Sequence, residues 1–282
     1  MRKKSNKIYY KTAEEIELIR QSCLLVCKTL ALVGERLRPG AIGKEIDAEA
    51  EAFIRDHGAV PGFKGYNDFP ATLCVSRNEA VVHGIPTEEP FKDGDIVSVD
   101  CGVFWNNFFG DAAYTFAIGD VNEKTMELLR ITKASLYKGI AQAKVGRRVG
   151  DISFAIQHYI RKHRYGIVRE LVGHGVGKEL HEGPEVPNYG KRGKGFKLQE
   201  GLVIAIEPMI NMGRQEVRIL EDEWTVVTMD GKPSAHYEHS VAVGKTGADI
   251  LSDHSFVEAA IAKNPNLKEV ASLEGAMVQS GN

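Results

Sequence analysis

Apolar residues recur at helical spacing after Thr12: Ile16, Ile19, Cys23, Val26 and Leu30 fall on one stripe with polar positions between them. Thr12-Ala-Glu-Glu places Glu15 three residues after a hydroxyl, the pattern of a capping box, so a helix is predicted from about Thr12 to about Glu35. A second is predicted from about Lys44 to Asp56. The period then changes. "DIVSVDCGVFW" and "AAYTFAIG", and later "LVIAIEP", "EWTVVTM" and "HYEHSVAV", are rich in β-branched and aromatic residues and read as strands.

The pattern repeats weakly along the chain. "IELIR" at 16–20 is echoed by "MELLR" at 126–130, and residues 39–57 by 145–163, where Gly40, Ile46, Ile54, Arg55 and His57 recur as Gly146, Ile152, Ile160, Arg161 and His163. Each half reads as two helices followed by strands, an α+β plan in which helices cover antiparallel sheet. One domain is expected over residues 1–248, with halves at about 12–120 and 121–246, followed by an extension over 249–282. Within the extension "DHSFVEAAIAKN" reads as a helix capped by Asp253 and the remainder as mobile. A site between the halves would draw groups from both.

Composition narrows the class without naming it. The 282 residues are 43% apolar, enough for a buried core, and a formal charge of -2 advertises neither nucleic acid nor membrane as a partner. The opening "MRKKSNK" is basic but no apolar run follows it, and "LVIAI" is far too short to span a bilayer, so a cytoplasmic protein is expected. Cys23, Cys27, Cys74 and Cys101 lack CxxC spacing and are expected as reduced, buried thiols.

Chemistry enters with two kinds of residue. "LVGHGVGKELHEGPEVPN", residues 171–188, seats His174 and His181 among glycines and a proline that argue against helix, so a loop or broken strand presents them. Asp100 and Asp111 flank "CGVFWNNFFG". A four-residue hairpin loop would pair Asp100 with Asp111, and a two-residue Asn106-Asn107 loop would set Asp100 opposite Ala113; either puts both carboxylates on one face. Like charges so close repel and call for a cation between them. Glu207 after "LVIAI" and Glu238 within "HYEHSVAV" are two more carboxylates in apolar surroundings. Four carboxylates and one imidazole, with a charge of about -4, would match two divalent ions of manganese, iron, cobalt or zinc. A water bridging such ions becomes hydroxide near neutral pH and can attack a carbonyl.

"AVVHGIPT", "IVSVDCG", "FFGDAAYTF", "GHGVGKELHEGPEVPN", "IAIEPM" and "YEHSVAV", in this order, resemble type I methionine aminopeptidase of the pita-bread fold over about residues 9–244. The pseudo-twofold halves of that fold agree with the internal echo. The resemblance implies metal ligands Asp100, Asp111, His174, Glu207 and Glu238, with Asp111 and Glu238 bridging. It implies that His181 bonds the scissile carbonyl, that His83 contacts the peptide beyond it, and that Glu207 serves in proton transfer. It also implies a methionine pocket of Phe63, Tyr66, Phe69, Cys74, Leu180 and Trp224, whose aromatic and soft groups suit a thioether. Phe63 stands where some members carry cysteine, and Gly102 and Ala112 where many carry a hydroxyl.

The implied activity is removal of initiator methionine from nascent chains with a small second residue, by a monomer that needs no DNA or membrane. Family members act near the ribosome, and the basic loop "KRGKGFK" at 191–197, most simply a solvated one, could touch its RNA. Proline-specific relatives share the five ligands but carry a large domain before the first helix, where only about ten residues stand here; type II enzymes need an insertion between His174 and Glu207 that a 33-residue interval does not hold. A ligand-free relative acting as a binding protein would have lost ligands, and all five are present.

Overall fold

Thr12 caps the first helix in both directions: its Oγ1 accepts from Glu15 N at 3.2 Å, and Glu15 Oε2 accepts from Thr12 N at 3.1 Å. The structure is a computed structural model that describes residues 8–271; the basic opening 1–7 and the end of the extension, 272–282, lie outside the described residues. The first half runs α1 (Ala13–Arg36), α2 (Gly43–Asp56), β1 (Val60–Pro61), β2 (Leu73–Arg77), β3 (Ala80–Val82), β4 (Ile96–Trp105) and β5 (Phe108–Ala117). The second runs α3 (Glu123–Ile140), α4 (Val149–Ile160), β6 (Gly166–Ile167), β7 (Gly173–Gly175), β8 (Glu182–Val186), β9 (Val203–Ile206), β10 (Met209–Asn211), β11 (Val217–Ile219), β12 (Val226–Thr228), β13 (Ser234–His236) and β14 (His239–Val243). β15 (Ala248–Ile250) and α5 (Ser255–Lys263) follow, so the helix expected at the extension forms, with Asp253 Oδ1 accepting from Ser255 N at 2.9 Å.

The echo read from the sequence is structural. Gly40 and Gly146 take φ of 86° and 88°, a left-handed conformation natural to glycine, and α2 and α4 begin three residues later at Gly43 and Val149. Ile46 and Ile54 in one half, and Ile152 and Ile160 in the other, are buried. The apolar stripe of α1 packs on β4 and β5, with Leu30, Val33, Val97, Val99 and Phe116 in one core cluster. That burial is the main force holding helix to sheet.

All pairings between these strands are antiparallel. β4 carries β1, β2 and β5; β15-β14-β9-β7-β8 form a five-stranded sheet; β13-β10-β6 and β11-β12-β3 form two smaller ones. The two-residue hairpin loop is the one adopted: Asp100 opposes Ala113 and Gly102 opposes Asp111, while Asn106 and Asn107 hold φ of 52° and 67°. Asparagine tolerates that conformation, which a type I′ turn requires at both central positions.

Two strand expectations are shortened. "HYEHSVAV" breaks at Tyr237-Glu238, between β13 and β14, and "LVIAIEP" is strand only as β9, with Glu207-Pro208 separating it from β10. β9 pairs with β14 through Ile206↔His239, and β10 with β13 through Met209↔His236. The two ribbons are therefore one pair of strands crossing between sheets, and the two glutamates face the break from opposite strands. "EWTVVTM" loses its first residues to a turn in which Asp222 Oδ1 accepts from Trp224 N at 2.9 Å and Thr225 N at 2.8 Å.

Candidate metal centre and peptide cleft

Strand pairing brings the acidic residues together. Asp100 and Asp111 share a face of the β4–β5 hairpin, Asp100 opposite Ala113 and Asp111 opposite Gly102. Glu238 is tied to β5 by its own N–H, which donates to Ala113 O at 3.0 Å. His174, on β7, aims its Nε2 at 3.7 Å from Asp111 Oδ2 and 3.5 Å from Glu207 Oε1. Its Nδ1 lies 2.9 Å from Gly175 O, and a carbonyl can only accept, so Nδ1 carries the hydrogen and Nε2 presents a lone pair to the carboxylates.

Asp111, His174 and Glu238 each offer a ligand atom, all within 4.8 Å of one another, and all three residues are buried. Asp100 Oδ1, Asp111 Oδ1 and Glu238 Oε1 are sealed from solvent with no hydrogen-bond partner. Burial pushes the Asp100 carboxyl up to about 7. Burial, together with the neighbouring carboxylates, holds Asp111 and Glu238 well above the usual carboxylate range. Buried anions facing one another without a positive charge are costly, and hard oxygen donors with one imidazole are the donor set of a divalent cation. The residues present fit such a group.

The second histidine of the glycine-rich stretch has a different setting. His181, in the turn between β7 and β8, has Nδ1 at 2.8 Å from Tyr66 Oη, and its ring lies 4.3 Å from that of His174. The turn is held by a buried ion pair: Lys11 Nζ meets Glu182 Oε2 at 2.5 Å, while Glu182 Oε1 accepts from Lys178 N at 2.8 Å and Glu179 N at 3.3 Å. Burial lowers the Lys11 ammonium while Glu182 raises it.

Phe63, Phe69, Ala71, Cys74 and Leu180 form a small apolar cluster of their own, with Tyr66, Ile85, Phe109 and Trp224 packed against it. Of the six residues expected to line a side-chain pocket, Phe63, Phe69, Cys74 and Leu180 are in it, and Tyr66 and Trp224 pack against it. His83, at the end of β3 with φ of 58°, stands edge-on to Trp224 at 6.3 Å, and burial lowers its imidazole below the ordinary range. The structure thus brings together Asp100, Asp111, His174, Glu207, Glu238 and His181, with His83 on the Trp224 side of the apolar cluster.

Two residues of this site went unnoticed in the sequence. His236, 1% exposed, has Nε2 3.7 Å from Glu207 Oε2 and no hydrogen-bond partner there, and burial lowers it to about 3. Its position two residues before Glu238 places both on one face of an extended run, the signal that could have found it. Lys11 precedes the first helix, and no local pattern marks a partner 171 residues away.

A family model described as metallopeptidase family M24 matches residues 17–245. The chain is 51% identical over 245 residues to methionine aminopeptidase of Clostridium perfringens, covering 87% of this chain and 98% of that protein. It is 47% identical over 245 residues to methionine aminopeptidase 1 of Bacillus subtilis, covering 87% and 99%. The crystal structure of methionine aminopeptidase from Thermotoga maritima superposes with a TM-score of 0.86 at 41% identity, covering 88% of this chain and 100% of that one. Prolidase from Pyrococcus furiosus superposes at 0.72 with 26% identity, and only 65% of its chain is covered.

Proposed function

The chain belongs to metallopeptidase family M24, among its methionine aminopeptidases, and we propose that it removes initiator methionine from nascent proteins and peptides whose second residue is small. The observation that carries the reading is the trio of partnerless buried oxygens on Asp100, Asp111 and Glu238 facing His174. Asp100, Asp111, His174, Glu207 and Glu238 would hold two divalent ions, with Asp111 and Glu238 shared between them. Such ions, when bound, supply a Lewis acid for the first peptide carbonyl and lower the pKa of water beside it.

The side chains do the rest. Methionine packs in the apolar cluster of Phe63, Phe69, Cys74 and Leu180, with Tyr66 and Trp224 at its edge. His181 Nδ1 shares a hydrogen bond with Tyr66 Oη; with the tyrosine as donor, Nε2 carries the ring hydrogen and donates to the carbonyl oxygen as charge develops there. Glu207 takes a proton from the attacking water on Oε2, the oxygen facing His236, and gives it to the amine that leaves as the C–N bond breaks. His83, kept neutral by burial, bonds the peptide beyond the scissile bond.

Hydrolysis of Met-Ala-Ser against Ala-Pro-Ala, with metal content measured on the same sample, tests the assignment. Cleavage of the first alone by metal-loaded protein supports it; cleavage of the proline peptide favours the prolidase branch. None of the helices searched among the described residues is long and apolar enough to cross a membrane. The exposed Lys191, Arg192 and Lys194 suit contact with ribosomal RNA by a monomer acting at the exit of the nascent chain. Co-sedimentation with ribosomes that weakens steeply with salt supports that contact, and salt-independent co-sedimentation contradicts it.

A further inference from the structure

The chain beyond residue 245 lies outside the stretch that the family matches, yet it is built into the wall behind the candidate metal centre. β15 pairs with β14 through Val241↔Ile250, Ala242↔Asp249 and Val243↔Ala248, and Leu251 N continues the ladder to Ser240 O at 2.9 Å. The next residue, Ser252, then faces the start of β14. Its Oγ lies 2.7 Å from His239 Nδ1 and accepts from Ser240 N at 3.2 Å. Ser240 Oγ donates onward to Asp111 O at 2.8 Å.

Ser252 Oγ accepts from Ser240 N and shares a second hydrogen bond with His239 Nδ1, while His239 Nε2 shares one with Tyr137 Oη at 3.2 Å, so the ring is held at both nitrogens whichever tautomer it takes. The two residues touched by Ser252 are the neighbour of Glu238 and the residue that grips the Asp111 backbone. Ser240, Ser252 and His239 are 0%, 1% and 2% exposed, so no solvent competes for these bonds.

The segment that delivers Ser252 is anchored to both halves. His254 stacks on His239 at 3.8 Å and meets Tyr114 edge-on at 5.1 Å. Glu258 pairs with Lys133 of α3 at 2.6 Å, Asn264 Nδ2 donates to Gly34 O and Leu37 O at 2.8 Å each at the end of α1, and Lys268 N donates to Ala117 O at 2.9 Å.

We infer that Ser252, with His254 packed on His239, is a positioning residue for the metal centre, holding β14 so that Glu238 and Asp111 present their carboxylates to the same cations. The inference rests on the reading of those two residues as shared ligands. Removal of the Ser252 hydroxyl leaves two buried donors or acceptors unsatisfied and frees the strand by the few tenths of an ångström that a ligand set does not tolerate.

Titration calorimetry of Mn2+ into metal-stripped, full-length protein tests this, with wild type, Ser252→Ala, Ser252→Thr and Asn264→Ala compared. Ser252→Ala should bind the ion about tenfold more weakly or worse, the usual consequence of losing a group that orients a ligand. Ser252→Thr keeps the hydroxyl and should recover most of that affinity. Asn264→Ala releases the two carbonyls at the end of α1 and should lower the melting temperature with affinity unchanged. Should Ser252→Ala fail to fold, His254→Ala, which removes the ring against His239 and Tyr114 but leaves the Ser252 hydroxyl, should show the same loss in smaller measure. Wild-type affinity in Ser252→Ala, or equal loss in Ser252→Ala and Asn264→Ala, would overturn the inference alone. No binding by the wild type would overturn the ligand assignment beneath it.

Discussion

The ring of Phe63 occupies the space that a side chain at Gly102 would need: a Cβ built on Gly102 would stand 2.4 Å from Phe63 Cε1. Gly102 in turn opposes Asp111 across the hairpin, so the pair ties the apolar pocket to the acidic cluster. Gly102→Thr alone should therefore crowd the ring and lower turnover by about tenfold or more. Gly102→Thr with Phe63→Cys should recover much of the loss, because the smaller side chain vacates the volume the threonine fills. Kinetics on a Met-Ala peptide for both single variants and the double variant check this; losses that simply add would show that the two positions do not share the space.

Metal should stabilise the protein more as pH rises. The Asp100 carboxyl is raised to about 7, and Asp111 and Glu238 stand well above the usual range. Unfolded carboxyls release their protons near pH ~4. Between that value and the raised one, the folded, metal-free chain binds more protons than the unfolded chain, so its stability falls as pH rises. Bound cations replace those protons and remove the slope. Melting temperatures of chelated and metal-loaded protein at about pH 6 and about pH 8 should diverge toward the higher value. Taking the difference between the two samples cancels the opposing contribution of His236 and His239, each lowered to about 3 by burial. A gap that narrows with pH would contradict the electrostatic reading.

Breaking the Lys11–Glu182 pair should unseat His181. Both side chains are buried, at 3% and 0% exposure, so Lys11→Met leaves a carboxylate unpaired in the interior at a cost of about 3–5 kcal/mol. Denaturant unfolding should show that loss. Folded Lys11→Met should keep its metals while turnover falls, since the turn it supports carries Leu180 and His181. Lys11→Met with Glu182→Gln removes the stranded charge and should restore part of both. Unchanged stability in the single variant would mean that solvent reaches the pair.

The second residue of the substrate should matter sharply. Met-Leu and Met-Lys peptides should be cleaved far more slowly than Met-Ala, and formyl-Met-Ala hardly at all, because its amine is blocked. A clash with a rigid wall discriminates by more than the ~1–3 kcal/mol available from a methylene in a pocket. Comparable kcat/KM across these peptides would contradict the expected cleft.

The acidic cluster was legible because extended chain alternates strictly: either hairpin loop put Asp100 and Asp111 on one face, and the two consecutive asparagines chose the shorter loop. The helices were legible for the same kind of reason, down to the paired Gly40 and Gly146. The breaks at Glu207 and Glu238 were not. A run such as "HYEHSVAV" looks like one strand because its apolar pattern is continuous, while the change of sheet is decided by partners distant in sequence. Lys11 and Ser252 escaped notice for that reason too: each acts through a contact made only after the chain has folded.

The central claim is that His174 belongs to a metal centre and His181 to the substrate. Metal stoichiometry and turnover of His174→Ala and His181→Ala, measured in parallel, test it most directly. His174→Ala should lose metal, with activity partly recovered at high metal concentration. His181→Ala should keep its metals and its fold while turnover drops roughly 10- to 1,000-fold, the range for losing one donor to a developing oxyanion, with no rescue by added metal. Equal loss of metal from both variants would make His181 a ligand and contradict the account.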